Sequence, residues 1–137
     1  MGGRRQSRET ALQVLYLLDI TSLSVDEALI AVNQNIEAPP KVAEFSKTII
    51  DGVVEQRTRL DELITRYAEN WEIARMAAID RNVLRIGTFE IINHPETPIS
   101  VIIDEALEIV KTYSTEDSGK FVNGILDKMK SERRTKP

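Results

Sequence analysis

A chain of 137 residues with 42% hydrophobic and 29% charged side chains has the composition of an ordinary globular protein. It has no cysteine, which excludes disulfides, thiolate metal sites and cysteine catalysis. The net charge of −4 is unevenly spread: residues 1–8 carry three arginines and no acid, residues 9–110 eight basic and eighteen acidic side chains, and residues 111–137 seven basic and four acidic. Basic ends around an acidic middle suit a polyanion at the ends and a different partner in the middle. Solvated basic tails are the plainer alternative. The length fits one domain over residues 1–137. No apolar stretch follows the first residues and the apolar runs are short, so neither a secretory signal nor a membrane span is expected. A cysteine-free chain of this kind suits the cytoplasm.

Helical periodicity recurs along the chain. Ala11, Val14, Leu15 and Leu18 follow the i, i+3, i+4, i+7 spacing of one helix face. Ser24 and Glu27 form a capping box that opens a second helix, with Ala28, Leu29, Val32 and Ile36 inward. Ala38-Pro39-Pro40 stops it. Phe45, Ile49 and Val53 mark a third helix, in which Gly52 would let a neighbour approach closely. Leu60, Leu63, Ile64 and Tyr67 mark a fourth, set off from the third by a bend near Arg57-Thr58.

Residues from Ile79 to Ile92 are apolar on more than one face, which predicts the central, most buried helix. It ends at Asn93-His94-Pro95. Ile103, Ala106, Leu107 and Val110 form the next stripe, with a short strand at 99–103 as the rival reading. Val122, Ile125, Leu126 and Met129 form the last. The expected fold is therefore all-α, with about seven helices in two packed small bundles divided near Asn70-Trp71. Trp71 is expected in the core.

Catalytic chemistry is hard to find. The single histidine, His94, stands before proline in a turn and reads as solvated. Asp104, Glu105 and Glu108 share a helix but read as a solvated acidic face, with no base or nucleophile beside them. Gly119-Lys120 lacks the rest of a phosphate loop. No enzyme activity, metal or cofactor is expected. The stretch from Thr115 to Asp127 is more informative. A polar loop leads into a helix start, where free N–H groups favour anions, and Lys120 adds a charge. Phe121 lies just off the apolar stripe. It is either a platform for an unpaired base or part of the core.

Phe121-Val122-Asn123-Gly124-Ile125-Leu126-Asp127-Lys128 resembles the C-terminal signature of the NusB family. Asp80-Arg81-Asn82-Val83-Leu84-Arg85, with Phe89-Glu90, resembles its central helix. Pro98 followed by 103–111 resembles the next helix, and Arg8, Ala11, Gln13, Leu15 and Tyr16 resemble the first. The four lie in order over nearly the whole chain. The resemblance implies a non-catalytic factor that binds the single-stranded boxA element of nascent ribosomal RNA. It implies a heterodimer with the ribosomal protein that doubles as NusE, and entry into the elongating RNA polymerase complex with other Nus factors. By position, RNA contacts would fall on Arg4, Arg5, Arg8, Asp117, Ser118, Lys120 and Phe121. Partner contacts would fall on Tyr16, Ile20 and Asp80. A helical adaptor that never touches RNA is the alternative. An rRNA cytosine methyltransferase is disfavoured, since the chain has no cysteine nucleophile.

Overall fold

The computed structural model describes residues 2–33 and 38–133. Among them are six α-helices: α1 (Gly2–Ile20), α2 (Val25–Asn33), α3 (Pro40–Ala68), α4 (Ala78–Asn93), α5 (Ile99–Tyr113) and α6 (Glu116–Met129). Short 3-10 turns at Ile73–Arg75 and Lys130–Glu132 complete the chain path. The expectation of about seven helices is corrected to six, because the third and fourth stripes belong to the single helix α3. Val53 and Leu60 are seven residues apart, two turns, so the stripe from Ile49 to Ala68 stays on one face without a bend. The rival strand at 99–103 is the start of α5, which buries Ile102 and Ile103 on one side. Ile36, expected inward on the second helix, lies outside the described residues.

Local chemistry sets the helix ends. The Ser24 N–H donates to Glu27 Oε1 at 2.9 Å and the Glu27 N–H donates to Ser24 Oγ at 3.1 Å, the reciprocal pair of a capping box. Pro40 occupies the first turn of α3, where its missing N–H costs nothing. Thr115 caps α6 by accepting the Ser118 N–H at 3.1 Å. The C-terminus of α4 is closed from a distance. Arg133 donates to the carbonyls of Ile91 (2.8 Å), Thr97 (2.7 Å), His94 (2.9 Å) and Glu90 (3.3 Å).

Helix α4 is the axis of the fold. Every residue from Asn82 through Ile91 is buried. Helices α1, α3, α5 and α6 all pack on it, so the halves α1–α3 and α4–α6 share one apolar core. Gly52 permits the closest approach, because a Cβ there would stand 2.1 Å from the Phe89 ring. The charged residues of α4 and Asn82 are paired, whereas the buried Thr88 hydroxyl has no hydrogen-bond partner. Arg85 donates to Asp61 at 2.8 and 3.0 Å, while Arg81 and Asn82 donate to Asp19 at 2.6 and 2.9 Å. These bonds stitch the end of α1 and the middle of α3 to α4. Burial pushes the Asp19 carboxyl up, but the Arg81 and Asn82 hydrogen bonds and the arginine charges outweigh it and hold it below the usual range.

Two expectations are corrected here. His94 is largely buried rather than solvated: its side chain is 14% exposed, with its ring 5.3 Å from Phe89 and 5.8 Å from Phe45. Trp71 is not core but 53% exposed. It follows the end of α3, where Glu69 takes the left-handed φ of 56° and turns the chain outward.

Candidate nucleic-acid interface

The basic start of α1 is a fixed platform. Ser7 Oγ donates to Val42 O at 2.9 Å and Ser46 Oγ donates to Ser7 O at 3.1 Å, which bolts α1 to the start of α3. The three arginines differ in what they touch. Arg8 is buried and forms two 2.7 Å hydrogen bonds to Glu90. Arg5 is exposed and pairs with Glu105 through bonds of 3.0 and 2.8 Å. Those bonds hold the Glu105 carboxyl below its usual range and raise the Arg5 guanidinium. Arg4 lies over the Phe45 ring at 3.7 Å, a cation–π arrangement that leaves its outer edge to solvent. Lys41 lines the same groove. It is a fourth cation that sequence reasoning missed, because only the α1–α3 contact brings it there. Glu105 was expected on a solvated acidic face and instead meets the first helix.

The start of α6 is built on α4. Asp80 is buried: Ser118 Oγ donates to one carboxylate oxygen at 2.9 Å, and Ser114 Oγ lies 3.1 Å from the other. Arg81, its sequence neighbour, pairs with Asp19 instead. Lys120 and Asp117 are exposed. Phe121 is half-buried, with one side against the core and an edge-to-face contact to Trp71 at 5.6 Å and 69°. Phe121 thus packs partly on the core and keeps part of its ring open to solvent. Trp71, Arg75, Asp80, Asp117, Ser118 and Phe121 line an open cleft of about 320 Å³.

Helix α5 links the two basic regions. Arg5 meets Glu105 and Gln13 meets Tyr113, at 3.1 Å, so long side chains join α1 to α5 at two points in parallel order. Glu105 and Ser114 are nine residues apart, about 14 Å along the α5 axis at ~1.5 Å per residue.

The expected partner residues divide. Tyr16 is half-buried and lines a second groove of about 390 Å³ with Gln13, Val32, Ile79 and Tyr113. Ile20 is exposed at the end of α1. Asp80 opens on the other cleft, beneath Ser118.

Among the described residues, six helices in two halves joined through a buried central helix, with open clefts between neighbouring helices, define an all-α fold. The NusB family profile matches residues 5–131, and the chain belongs to that family. The transcription antitermination protein NusB of Elusimicrobium minutum is 42% identical over 137 residues, covering 98% of this chain and 97% of the relative. The solved T. maritima NusB is 38% identical with a TM-score of 0.86, over 95% of this chain and 92% of that one. A chain in the crystal structure of antitermination factors NusB and NusE in complex with dsRNA is 29% identical with a TM-score of 0.86, over 96% of this chain and 98% of that one.

Proposed function

We infer that this chain is an RNA-binding transcription antitermination factor. It binds boxA of nascent ribosomal RNA as a heterodimer with NusE and joins the elongating RNA polymerase in the cytoplasm. One observation carries the reading: the chain corresponds nearly end to end to a protein solved with both NusE and RNA. The local chemistry agrees with it. Arg4, Arg5 and Lys41 offer charge to phosphates at the start of α1, and Lys120 with the α6 start offers it beyond the end of α5. Phe121 supplies an aromatic surface, and Ser118 and Asp117 border it. Arg8 acts from beneath, holding α1 rather than meeting the strand. Tyr16, Ile20 and the second groove face the ribosomal protein, and Asp80 braces the α6 start near both. Among the described residues no helix is long and apolar enough to cross a membrane. In this reading binding is the whole of the activity, with no reaction catalysed.

The test is anisotropy of labelled single-stranded boxA RNA, with and without NusE. A scrambled strand and a duplex of the same sequence serve as comparisons. Preference for boxA that tightens with NusE is expected. Equal affinity for boxA and scrambled RNA in the presence of NusE would overturn the RNA reading, and NusE binding with no RNA binding would return the adaptor.

A further inference from the structure

We propose that Trp71 is a second base-stacking platform: it forms an aromatic corner with Phe121 and takes one unstacked nucleobase on its exposed face, in the cleft between the end of α3 and the start of α6. The proposal rests on the RNA-binding reading above and adds a subsite to it. Three observations carry it. First, the chain's one tryptophan is half in solvent, although a large ring of this kind is ordinarily highly buried. Second, that exposure is built. Glu69 holds the uncommon φ of 56°, and its carboxylate is tied to Lys128 of α6 at 2.8 Å. The same α6 carries Phe121, so the turn and the helix fix the two rings 5.6 Å apart, edge to face. Uncommon backbone conformations of non-glycine residues cluster at binding sites, and this one stands two residues before the exposed ring. Third, the lining selects the kind of occupant. Asp80 and Asp117 oppose a phosphate and Arg75 is the one cation among the lining residues, so the cleft suits an uncharged flat ring. Its volume of about 320 Å³ is at the small end of ligand sites, the scale of a base rather than a helix. The cleft continues into Ser118 and Phe121, so a strand that reaches α6 passes it.

Trp71 reports on its own occupancy, because no other indole contributes to emission. The full chain is titrated with a single-stranded boxA oligonucleotide, followed in parallel by indole fluorescence and by anisotropy of a labelled strand. Stacking predicts quenching that tracks the anisotropy isotherm. Trp71→Ala should weaken binding about 5- to 150-fold, the range for loss of one base–aromatic stack. Trp71→Phe should recover part of that. The log–log salt slope should not change, since a stack releases no counterions. The melting temperature should move little, because the ring is half exposed. An abasic site at one strand position should weaken wild-type binding but add nothing to Trp71→Ala. If anisotropy shows wild-type RNA binding while indole emission stays flat and Trp71→Ala binds normally, the subsite is wrong and the RNA reading stands. If Trp71→Ala loses NusE and keeps RNA, the cleft is a protein interface and the proposal fails. If the wild-type chain binds no RNA with or without NusE, the underlying reading fails and this proposal with it.

Discussion

The Arg8 guanidinium meets the Glu90 carboxylate through two parallel hydrogen bonds of 2.7 Å, with both side chains withdrawn from solvent. The pair joins the first helix to the central one across 82 residues of sequence. Removing one partner leaves a buried charge uncompensated, so Arg8→Ala should cost about 3–5 kcal/mol of folding free energy. Arg8→Lys should not restore it, because an ammonium cannot make the two-pronged contact. Urea denaturation of the two variants checks both statements.

The same pair gives a pH dependence. Burial pushes the Glu90 carboxyl up, but the Arg8 hydrogen bonds and charge outweigh it and hold it below its ordinary value of 4.5. A folded-state pKa below the unfolded one contributes stability that is fully present above the unfolded value. It is lost as pH falls through the folded value. Urea midpoints should therefore drop below pH 4.5 in the wild type, and more steeply than in an Arg8→Met, Glu90→Leu double variant.

Much of this fold was legible in the sequence. The apolar residues on more than one face of α4, the Ser24–Glu27 box and the close approach at Gly52 follow from spacing and residue type alone. The continuity of α3 was not, because a seven-residue step between stripes reads equally as a gap or as two continuous turns. The site was legible only as a set of residue types. Sequence gives the basic character of Arg4, Arg5 and Arg8 but not their partners, Phe45, Glu105 and Glu90, each supplied by another helix. Trp71 shows the same limit. Large aromatics are ordinarily buried, and only the left-handed turn at Glu69 places this one outside.

Gly52 and Gly119 should respond oppositely to alanine. At Gly52 the new Cβ would stand 2.1 Å from Phe89, itself 4% exposed, so the core cannot yield without moving. Gly52→Ala should cost about 1–3 kcal/mol, the range for overpacking, and Phe89→Leu should recover part of it in the double variant. At Gly119 a Cβ meets nothing within 4 Å and the backbone is helical. Gly119→Ala should stabilise by about 0.4–1 kcal/mol through the unfolded chain. Thermal melts of the three variants decide between these signs.

Arg133 should matter more than a residue near the chain's end usually does. Its guanidinium donates to the Ile91 carbonyl, whose i+4 residue Pro95 has no N–H to give, and adds a second bond to the His94 carbonyl, which already accepts the Thr97 N–H. Arg133→Ala should cost about 1.5–3 kcal/mol, the scale of hydrogen bonds to a charged group. Lysine should not replace it, since one ammonium cannot span four carbonyls. Hydrogen exchange should locate the effect, with amides near residues 90–97 losing protection first and those of α3 keeping it.

The last prediction separates the arginines by what they touch. If about three or four phosphates are neutralised in all, the log–log salt slope of RNA binding should be about −2 to −3, at ~0.7 per single-strand contact. Arg4 keeps an edge in solvent, so Arg4→Ala should flatten that slope by about 0.7 and leave melting nearly unchanged. Arg5 is different, because Glu105 already occupies its Nε and one terminal nitrogen. A phosphate must compete with that carboxylate. Glu105→Gln removes the competing charge and should raise RNA affinity and steepen the slope. Glu105 also lies 3.8 Å from Arg8, so the variant's melting curve is needed beside its titration. Arg8→Ala should lower the melting temperature and leave the salt slope of the folded fraction intact. Equal loss of slope in Arg4→Ala and Arg8→Ala would show that Arg8 leaves Glu90 to meet the strand. A Glu105→Gln chain that melts normally and binds RNA no better would show that Arg5 takes no part in binding.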